Sequence, residues 1–281
     1  MGVMLALASA VCYGLADVAG GLLSRRWSFG RVALVGQLGG LAVMLAVAPF
    51  VPAPAVSSTA LGWGALSGVG TGVGMVLLYR GMAHGAMSVV VPVSAVGGTA
   101  LPVLAGVLLL GEQPSRLAWV GVAAAVPALW LVSRTGGRAG PNAVAGAMDG
   151  LGASVGIAVQ YFPLALAAAG AGWWPLVAGR VTATLTVLPV ALRSASAGSP
   201  PQHRFRVLAG AAGSGVLAAA ALTCYQLATR QQLVVVAVVL SSLYPVIPVL
   251  LGVTVLRERL TRWQRAGLLA AAAAVVLLTV S

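Results

Sequence analysis

Apolar residues form ten long runs along the chain, and clusters of charged, proline and glycine residues separate them. Most runs are near the roughly 20 residues that a helix needs to cross a bilayer, and lipid excludes an open sheet edge. The pattern therefore predicts an all-α polytopic membrane protein with ten transmembrane helices. The predicted spans are 3–23, 32–50, 60–83, 87–110, 117–133, 143–168, 174–192, 207–229, 233–256 and 263–280.

The composition supports this prediction and excludes other classes of protein. Hydrophobic residues make up 60% of the chain and charged residues only 7%, against roughly 25% charged residues in a typical soluble domain. A soluble enzyme or a disordered chain is therefore excluded. The net charge of +12 comes from 16 arginines and four acids. Because the arginines cluster at the ends of apolar runs, they indicate orientation in a bilayer and not a nucleic-acid surface.

The second half of the chain repeats the first at a constant offset of 146 residues, without gaps. This offset pairs Tyr79 with Tyr225, Pro102 with Pro248, Gly106 with Gly252, Glu112 with Glu258 and Arg116 with Arg262. The repeat predicts two units, 1–135 and 143–281, each of five helices. Because five is an odd number, the second unit must cross the membrane in the opposite sense to the first.

The distribution of arginine agrees with an inverted repeat. Across the predicted connectors, one face of the membrane collects thirteen arginines, and the other collects only Arg116 and Arg230. The positive-inside rule then places both termini outside the cytoplasm. We expect a multi-pass protein of the plasma membrane, of the bacterial inner-membrane type.

The repeated residues resemble a known family. A tyrosine near a helix end, prolines in the next helix and an acidic turn before the following helix recur, as Tyr79, Pro92, Pro102 and Gly111-Glu112, then as Tyr225, Pro248 and Glu258. This pattern is similar to that of EamA-type members of the drug/metabolite transporter superfamily. The resemblance implies ten helices in two inverted repeats, a central cavity and secondary transport. Arg257 and Val238 depart from it, since they replace the counterparts of Gly111 and Pro92.

Asp17 is the most informative of the four acids, because it lies inside the first span. A carboxylate within a membrane helix is costly and marks a candidate functional site. Asp17 is expected either to carry a proton or to bind a substrate amine; the alternative is an ion pair with Arg25, Arg26 or Arg180. Arg180, inside the seventh span, is expected to neutralise an acid or to meet a substrate carboxylate.

The repeated prolines and acids have structural interpretations as well as functional ones. Glu112 and Glu258 are expected to accept backbone N–H bonds at the start of the next helix, with proton coupling as the alternative. Asp149 is expected to face the surface at a helix start. The predicted hinge positions for alternating access, or packing kinks, are Pro102, Gly106, Pro248 and Gly252.

Polar and aromatic residues near the middle of the spans are expected to line a cavity. Each one alone is more often part of a contact between helices than a ligand. Together they predict a mostly neutral chamber for a small polar or amphipathic solute. The predicted lining is Tyr13, Asp17, Tyr79, Ser94, Thr99, Gln160, Tyr161, Arg180, Tyr225, Gln226, Ser241, Ser242 and Tyr244, with Gln37 and Thr223 as further polar groups.

The sequence contains no phosphate-binding loop, dinucleotide fingerprint or metal-ligand spacing, so we expect no enzyme, no cofactor and no metal. The leading hypothesis is a secondary-active exporter of an amino-acid-like or amphipathic metabolite, working by alternating access as a monomer or a homodimer. The rival hypothesis is a flippase for a lipid-linked intermediate or an accessory membrane subunit. The expected partners are a small solute and membrane lipid, and not nucleic acid.

Overall fold

The computed structural model of the chain describes residues 1–24, 27–83, 87–133, 143–193, 204–247, 250–251 and 261–280. Within these ranges the regular structure is helical, without strands. The described residues form ten α-helices of eight or more residues, numbered in chain order: α1 Gly2–Ser24, α2 Phe29–Val47, α3 Ser58–Ala83, α4 Met87–Leu110, α5 Arg116–Ser133, α6 Ala143–Leu166, α7 Trp174–Arg193, α8 Arg204–Thr229, α9 Val234–Ser241 and α10 Arg262–Val280. Two short 3₁₀ helices, Ala48–Phe50 and Ala169–Ala171, extend α2 and precede α7.

Nine of these helices begin and end within about three residues of the predicted spans, because the chain is punctuated sharply by polar clusters. Seven helices in the described ranges are long and apolar enough to cross a membrane, and the apolar part of α5, Arg116–Leu131, is shorter. The protein is therefore an all-helical, multi-pass membrane protein.

The ninth helix is shorter than the predicted span 233–256. It ends at Ser241, and residues 242–245 form turns. Pro245 explains the interruption: it has no N–H, and its ring clashes with the carbonyl four residues earlier. The backbone changes there to tighter i→i−3 bonds, such as Leu243 N–H to Leu240 O (3.3 Å) and Val246 N–H to Leu243 O (3.0 Å). The predicted hinge residues Pro248 and Gly252, and the predicted turn residue Glu258, lie outside the described residues.

The other predicted hinge lies in a continuous helix. Helix α4 runs from Met87 to Leu110 through Pro102 and Gly106 without a change of helix type. It ends at Gly111, whose φ of 64° lies in the left-handed region that glycine adopts without strain. An interruption at the cavity is thus present in α9 and not in its predicted counterpart α4.

Helix packing is reciprocal between the two halves of the chain. Helix α3 packs against α6 and α7, and α8 packs against α1 and α2. If each helix of the first five is replaced by its counterpart among the last five, and the reverse, the contacts of α3 become those of α8. The pairs α2–α7 and α5–α10 are their own counterparts under this exchange. This pattern is what two copies of one five-helix unit would produce when they pack around a shared centre.

Small residues allow the α3–α6 backbones to approach closely. A Cβ placed on Gly156 would lie 2.6 Å from Gly74 Cα and 2.9 Å from Gly70 O, which is closer than real Cβ atoms come to such neighbours. The spacing of Gly70 and Gly74 predicts close packing between helices, and the structure confirms it. Since dispersion forces hold such helices together in lipid, this contact stabilises the bundle next to the cavity described below.

We therefore expect Gly156→Ala to lower the stability of the protein by about 1–3 kcal/mol, because the added methyl group overpacks a contact between two backbones. The measurement is thermal unfolding in detergent micelles. Gly213→Ala is the matched control, because nothing lies within 4 Å of a Cβ at Gly213 in α8. An equal loss of stability in both variants would contradict the importance of the α3–α6 contact.

Candidate functional site

A polar cavity lies between the helices of the two halves. The space between its walls, including the part that is open to solvent, is about 570 Å³. Helices α1, α3, α6, α7 and α8 and the interrupted segment after α9 supply its walls. We call it the central cavity; its lining is Tyr13, Asp17, Thr71, Gly74, Met75, Leu78, Tyr79, Ile157, Gln160, Tyr161, Arg180, Ala218 and Tyr244.

A second cavity adjoins the central cavity, and the space between its walls, again including open solvent, is about 380 Å³. The two share six lining residues, which are Tyr13, Asp17, Met75, Tyr79, Arg180 and Ala218. The adjoining cavity adds Gln37 and Ser214 from α2 and α8. Asp17 and Arg180 therefore face the space between α1, α2, α3 and α8 from opposite halves of the sequence.

Arg180 is the charged side chain buried most deeply in this region, with 2% of its surface exposed. Its Nη1 donates a hydrogen bond to Gln37 Oε1 at 3.0 Å, and Gln37 Nε2 in turn contacts Met75 Sδ at 3.7 Å. Its Nη2 has no hydrogen-bond partner among the described residues. Gln37 thus holds one arm of the guanidinium in place, and the other arm is buried without a partner among the described residues.

Asp17 lies four residues after Tyr13, so the two side chains share one face of α1. The carboxylate is half-buried and lines both cavities. Both Asp17 and Arg180 are described, and their charged atoms are further apart than the 4.0 Å of an ion pair. The predicted alternative of an Asp17–Arg180 ion pair is therefore wrong, and the predicted partners Arg25 and Arg26 lie outside the described residues.

Tyrosine rings form one side of the central cavity. Tyr13 packs edge-on against Tyr161 and obliquely against Tyr244, each with ring centroids 6.2 Å apart. The Tyr13 hydroxyl accepts a hydrogen bond from Gln160 Nε2 at 2.7 Å. Tyr225 packs behind Tyr161, with a centroid distance of 4.6 Å. These contacts present rigid aromatic faces to the cavity next to Asp17.

Seven predicted lining residues meet at the central cavity: Tyr13, Asp17, Tyr79, Gln160, Tyr161, Arg180 and Tyr244. The other six lie outside both lining sets: Ser94, Thr99, Tyr225, Gln226, Ser241 and Ser242. These six are buried between helices, and several have local partners there. Thr99 Oγ1 donates to Ala95 O at 2.8 Å, Ser241 Oγ to Ala6 O at 3.3 Å, and Tyr225 OH to Tyr161 O at 3.1 Å.

The sequence did not predict the remaining lining residues of the central cavity, which are mostly apolar. Thr71, Met75 and Leu78 line the central cavity, and they precede Tyr79 at helical spacings along one face of α3. Their helical spacing from Tyr79 is the signal in the sequence that indicates them. Ile157 and Ala218 carry no such signal, because similar residues face lipid throughout the chain.

Glu112 caps a different helix from the one that the sequence predicted. Its Oε1 accepts a hydrogen bond from Val234 N–H at 2.7 Å, and its Oε2 accepts one from Val235 N–H at 2.9 Å. The carboxylate therefore caps the start of α9 in the second half of the chain, and not the start of α5. Its negative charge also lies at the positive end of the α9 dipole, which is a favourable interaction. Glu112 thus joins the end of α4 to the start of α9, the helix that precedes the interrupted segment at the cavity.

We expect Glu112→Ala to lower the free energy of unfolding by about 1–3 kcal/mol, since two backbone N–H groups lose their acceptor. Glu112→Gln retains one acceptor oxygen and should lose less. Chemical unfolding in mixed micelles measures both variants. If Glu112→Ala unfolds as the unsubstituted protein does, the carboxylate is not a cap that matters to stability.

Asp149 corrects a further expectation. It is buried, with 6% of its surface exposed, and not surface-facing as predicted. Arg80 at the end of α3 forms an ion pair with it, including Nε to Oδ1 at 3.1 Å. Neither residue lines the central or the adjoining cavity. The Arg80–Asp149 pair thus joins α3 to α6 away from the candidate site.

The same described ranges contain no group of three or more His, Cys, Asp or Glu side chains placed to hold a metal ion. The central cavity presents one carboxylate, one guanidinium, four phenols, one amide and an apolar wall. Such a set can bind and orient a small solute.

Comparison with known proteins finds a family match in the first half of the chain and a similar fold over nearly all of it. Residues 1–134 match the model described as "EamA-like transporter family". A solved protein described only as "Crystal structure of protein" has a TM-score of 0.72 to this chain at 17% sequence identity, covering 99% of this chain and 96% of that one. At this identity the likeness shows a shared fold. No curated protein matches the sequence.

Proposed function

Because residues 1–134 match a family of membrane transporters, we propose that the chain is a secondary-active exporter of a small metabolite. The solute would occupy the central cavity and leave by alternating access. The cell membrane, with the arginine-rich face in the cytoplasm, is the proposed location, and no resident cofactor takes part.

The observation that carries this proposal is a cavity with charged walls between helices that are apolar enough to span a bilayer. A charge within the hydrocarbon region costs several kcal/mol or more unless it faces water or a partner. Arg180 and Asp17 reach such a position from α7 and α1 and line one space. A packed structural bundle would gain nothing from retaining them, whereas a solute site would.

Alternating access requires two parts that move relative to each other around the site. We assign these parts to the units 1–135 and 143–281, in opposite orientations. The reciprocal packing of α3 with α6 and α7, and of α8 with α1 and α2, supports this assignment. The interruption after α9 also supports it, because discontinuous helices at the binding site are typical of inverted-repeat transporters. Pro102 and Gly106 remain the proposed hinge in α4.

Filling the central cavity should abolish transport. Ala218 lines both cavities, so we expect Ala218→Phe to reduce solute flux to the level of empty proteoliposomes while the protein stays folded. Val216→Phe is the matched control on the same helix, since Val216 is 39% exposed. The assay measures exchange of radiolabelled amino acids, amines, organic acids and nucleosides, with and without an imposed ion gradient.

Two results would contradict the proposal. Equal flux through Ala218→Phe and Val216→Phe would place the transport pathway elsewhere. If no solute of the panel is exchanged, while a fluorescent lipid reaches the opposite leaflet only in vesicles that contain the protein, the flippase hypothesis replaces the exporter hypothesis.

A further inference from the structure

We propose that two polar contacts between the halves of the chain act as opposing latches. The Arg80–Asp149 ion pair holds one face of the bundle closed, and the contact of the Glu112 carboxylate with α9 holds the other face closed. This inference rests on the proposed alternating access and names the contacts that regulate it. Each latch joins the unit 1–135 to the unit 143–281.

The two contacts lie at opposite faces of the bundle. Arg80 lies at the end of α3, and Asp149 lies near the start of α6. Helix α4 begins soon after α3 ends and runs for 24 residues, which is about 36 Å of helix and more than the roughly 30 Å of a hydrocarbon core. Glu112 follows the far end of α4. The ion pair is therefore at the arginine-rich face and Glu112 at the other.

The Arg80–Asp149 pair lies where the two halves approach closely. Arg80 Nε donates to Asp149 Oδ1 at 3.1 Å and to Oδ2 at 3.3 Å. A Cβ placed on Gly81 would lie 3.1 Å from Asp149 Cβ, so the α3 backbone reaches α6 directly at this point. While this contact persists, a solute has no room to pass between α3 and α6 there.

The pair is also placed between the central cavity and the arginine-rich face. Leu78 and Tyr79 line the cavity and directly precede Arg80. On α6, Asp149 lies about 12 Å of helix before Ile157, which lines the cavity as well. Because the Arg80 side chain is 50% exposed, water can receive the guanidinium when the halves separate. The pair can therefore open at a small cost.

Glu112 closes the opposite face by a different contact. Its two oxygens accept bonds from the N–H groups of Val234 and Val235, at 2.7 and 2.9 Å. A Cβ placed on Gly106 would lie 3.0 Å from Val235 Cγ2 and 3.2 Å from Glu112 Oε2, so α4 and the start of α9 are packed together. Since α9 leads into the segment that brings Tyr244 to the cavity, releasing Glu112 would free one wall of the cavity.

The repeat indicates that the ion pair acts at one face only. At the offset of 146 residues, Arg80 corresponds to Gln226 and Asp149 corresponds to Val3. Neither counterpart is charged, so the contact of α8 with α1, which is the counterpart of the α3–α6 contact, has no equivalent latch. Loss of the Arg80–Asp149 pair should therefore open the arginine-rich face and not the opposite one.

The test measures how fast a charged methanethiosulfonate modifies Ala218→Cys from each side of the membrane, in a protein whose Cys12 and Cys224 are replaced by alanine. Ala218 lines both cavities, and right-side-out and inverted vesicles give the two rates. Asp149→Asn should raise the rate from the arginine-rich face, relative to the other, by about threefold or more. Glu112→Gln should shift this ratio in the opposite direction by a similar factor, because one acceptor is lost.

Three further variants show whether the ion pair itself is responsible. If Asp149→Asn does not fold, Arg80→Gln removes the same pair from its exposed partner and should give an equal shift. The double variant should shift the ratio no further than either single one, because both act through one contact. Arg204→Gln is the matched control, since it removes an exposed arginine from the same face. It measures the effect of surface charge on the reagent alone, which the shift of Arg80→Gln should exceed.

The outcomes separate the latches from the proposed function. The latch proposal is wrong if Arg80→Gln shifts the ratio no more than Arg204→Gln does, if Glu112→Gln shifts it in the same direction as Asp149→Asn, or if Ala218→Cys reacts in no variant. In the first two cases, solute flux that Ala218→Phe abolishes would leave the exporter function intact. Opposite shifts without flux of any solute would support the latches and contradict the exporter function.

Discussion

The cost of burying charge in a membrane is the constraint on which the rest of this structure depends. Helices α1 and α7 each bring one charged side chain, Asp17 and Arg180, into the interior of an apolar bundle. The two side chains do not form an ion pair with each other. The Nη2 atom of Arg180 has no hydrogen-bond partner among the described residues. In hydrocarbon this arrangement would be strongly unfavourable. The central cavity makes it tolerable, because water or a solute can meet both charges.

The same bundle is packed closely around that space. Glycines let the α3 and α6 backbones approach each other, and Gly215 in α8 lies directly against Gly36 in α2. These contacts belong to the reciprocal pairs that join the two halves. Where tyrosines replace small residues at the centre, the helices cannot close together, and the cavity remains. The interruption after α9 brings Tyr244 to this place, while Glu112 fixes the start of that helix from the other half.

The sequence predicts the helices far better than it predicts the cavity. The limits of a span follow from hydropathy, which is a property of position along the chain. Nine of the ten predicted spans agree with the structure to within about three residues. Cavity lining depends on the direction in which each side chain points. Asp17 and Arg180 were identifiable because charge is rare in a span, whereas Ser94 and Thr99 resemble lining residues but bond or pack between helices. Pro245 has no proline counterpart in the first half, where Thr99 stands at the matching position, so the repeat did not indicate it.

Water access to Ala218 is the measurement that tests the central claim most directly. A single cysteine at this position, with Cys12 and Cys224 replaced by alanine, can be treated in intact vesicles with a small charged methanethiosulfonate. If the charges of Asp17 and Arg180 face a solute pathway, the cysteine should react while the protein remains folded, and saturating solute should slow the reaction. If the folded protein does not react from either side of the membrane, the cavity is a sealed void and the account is contradicted.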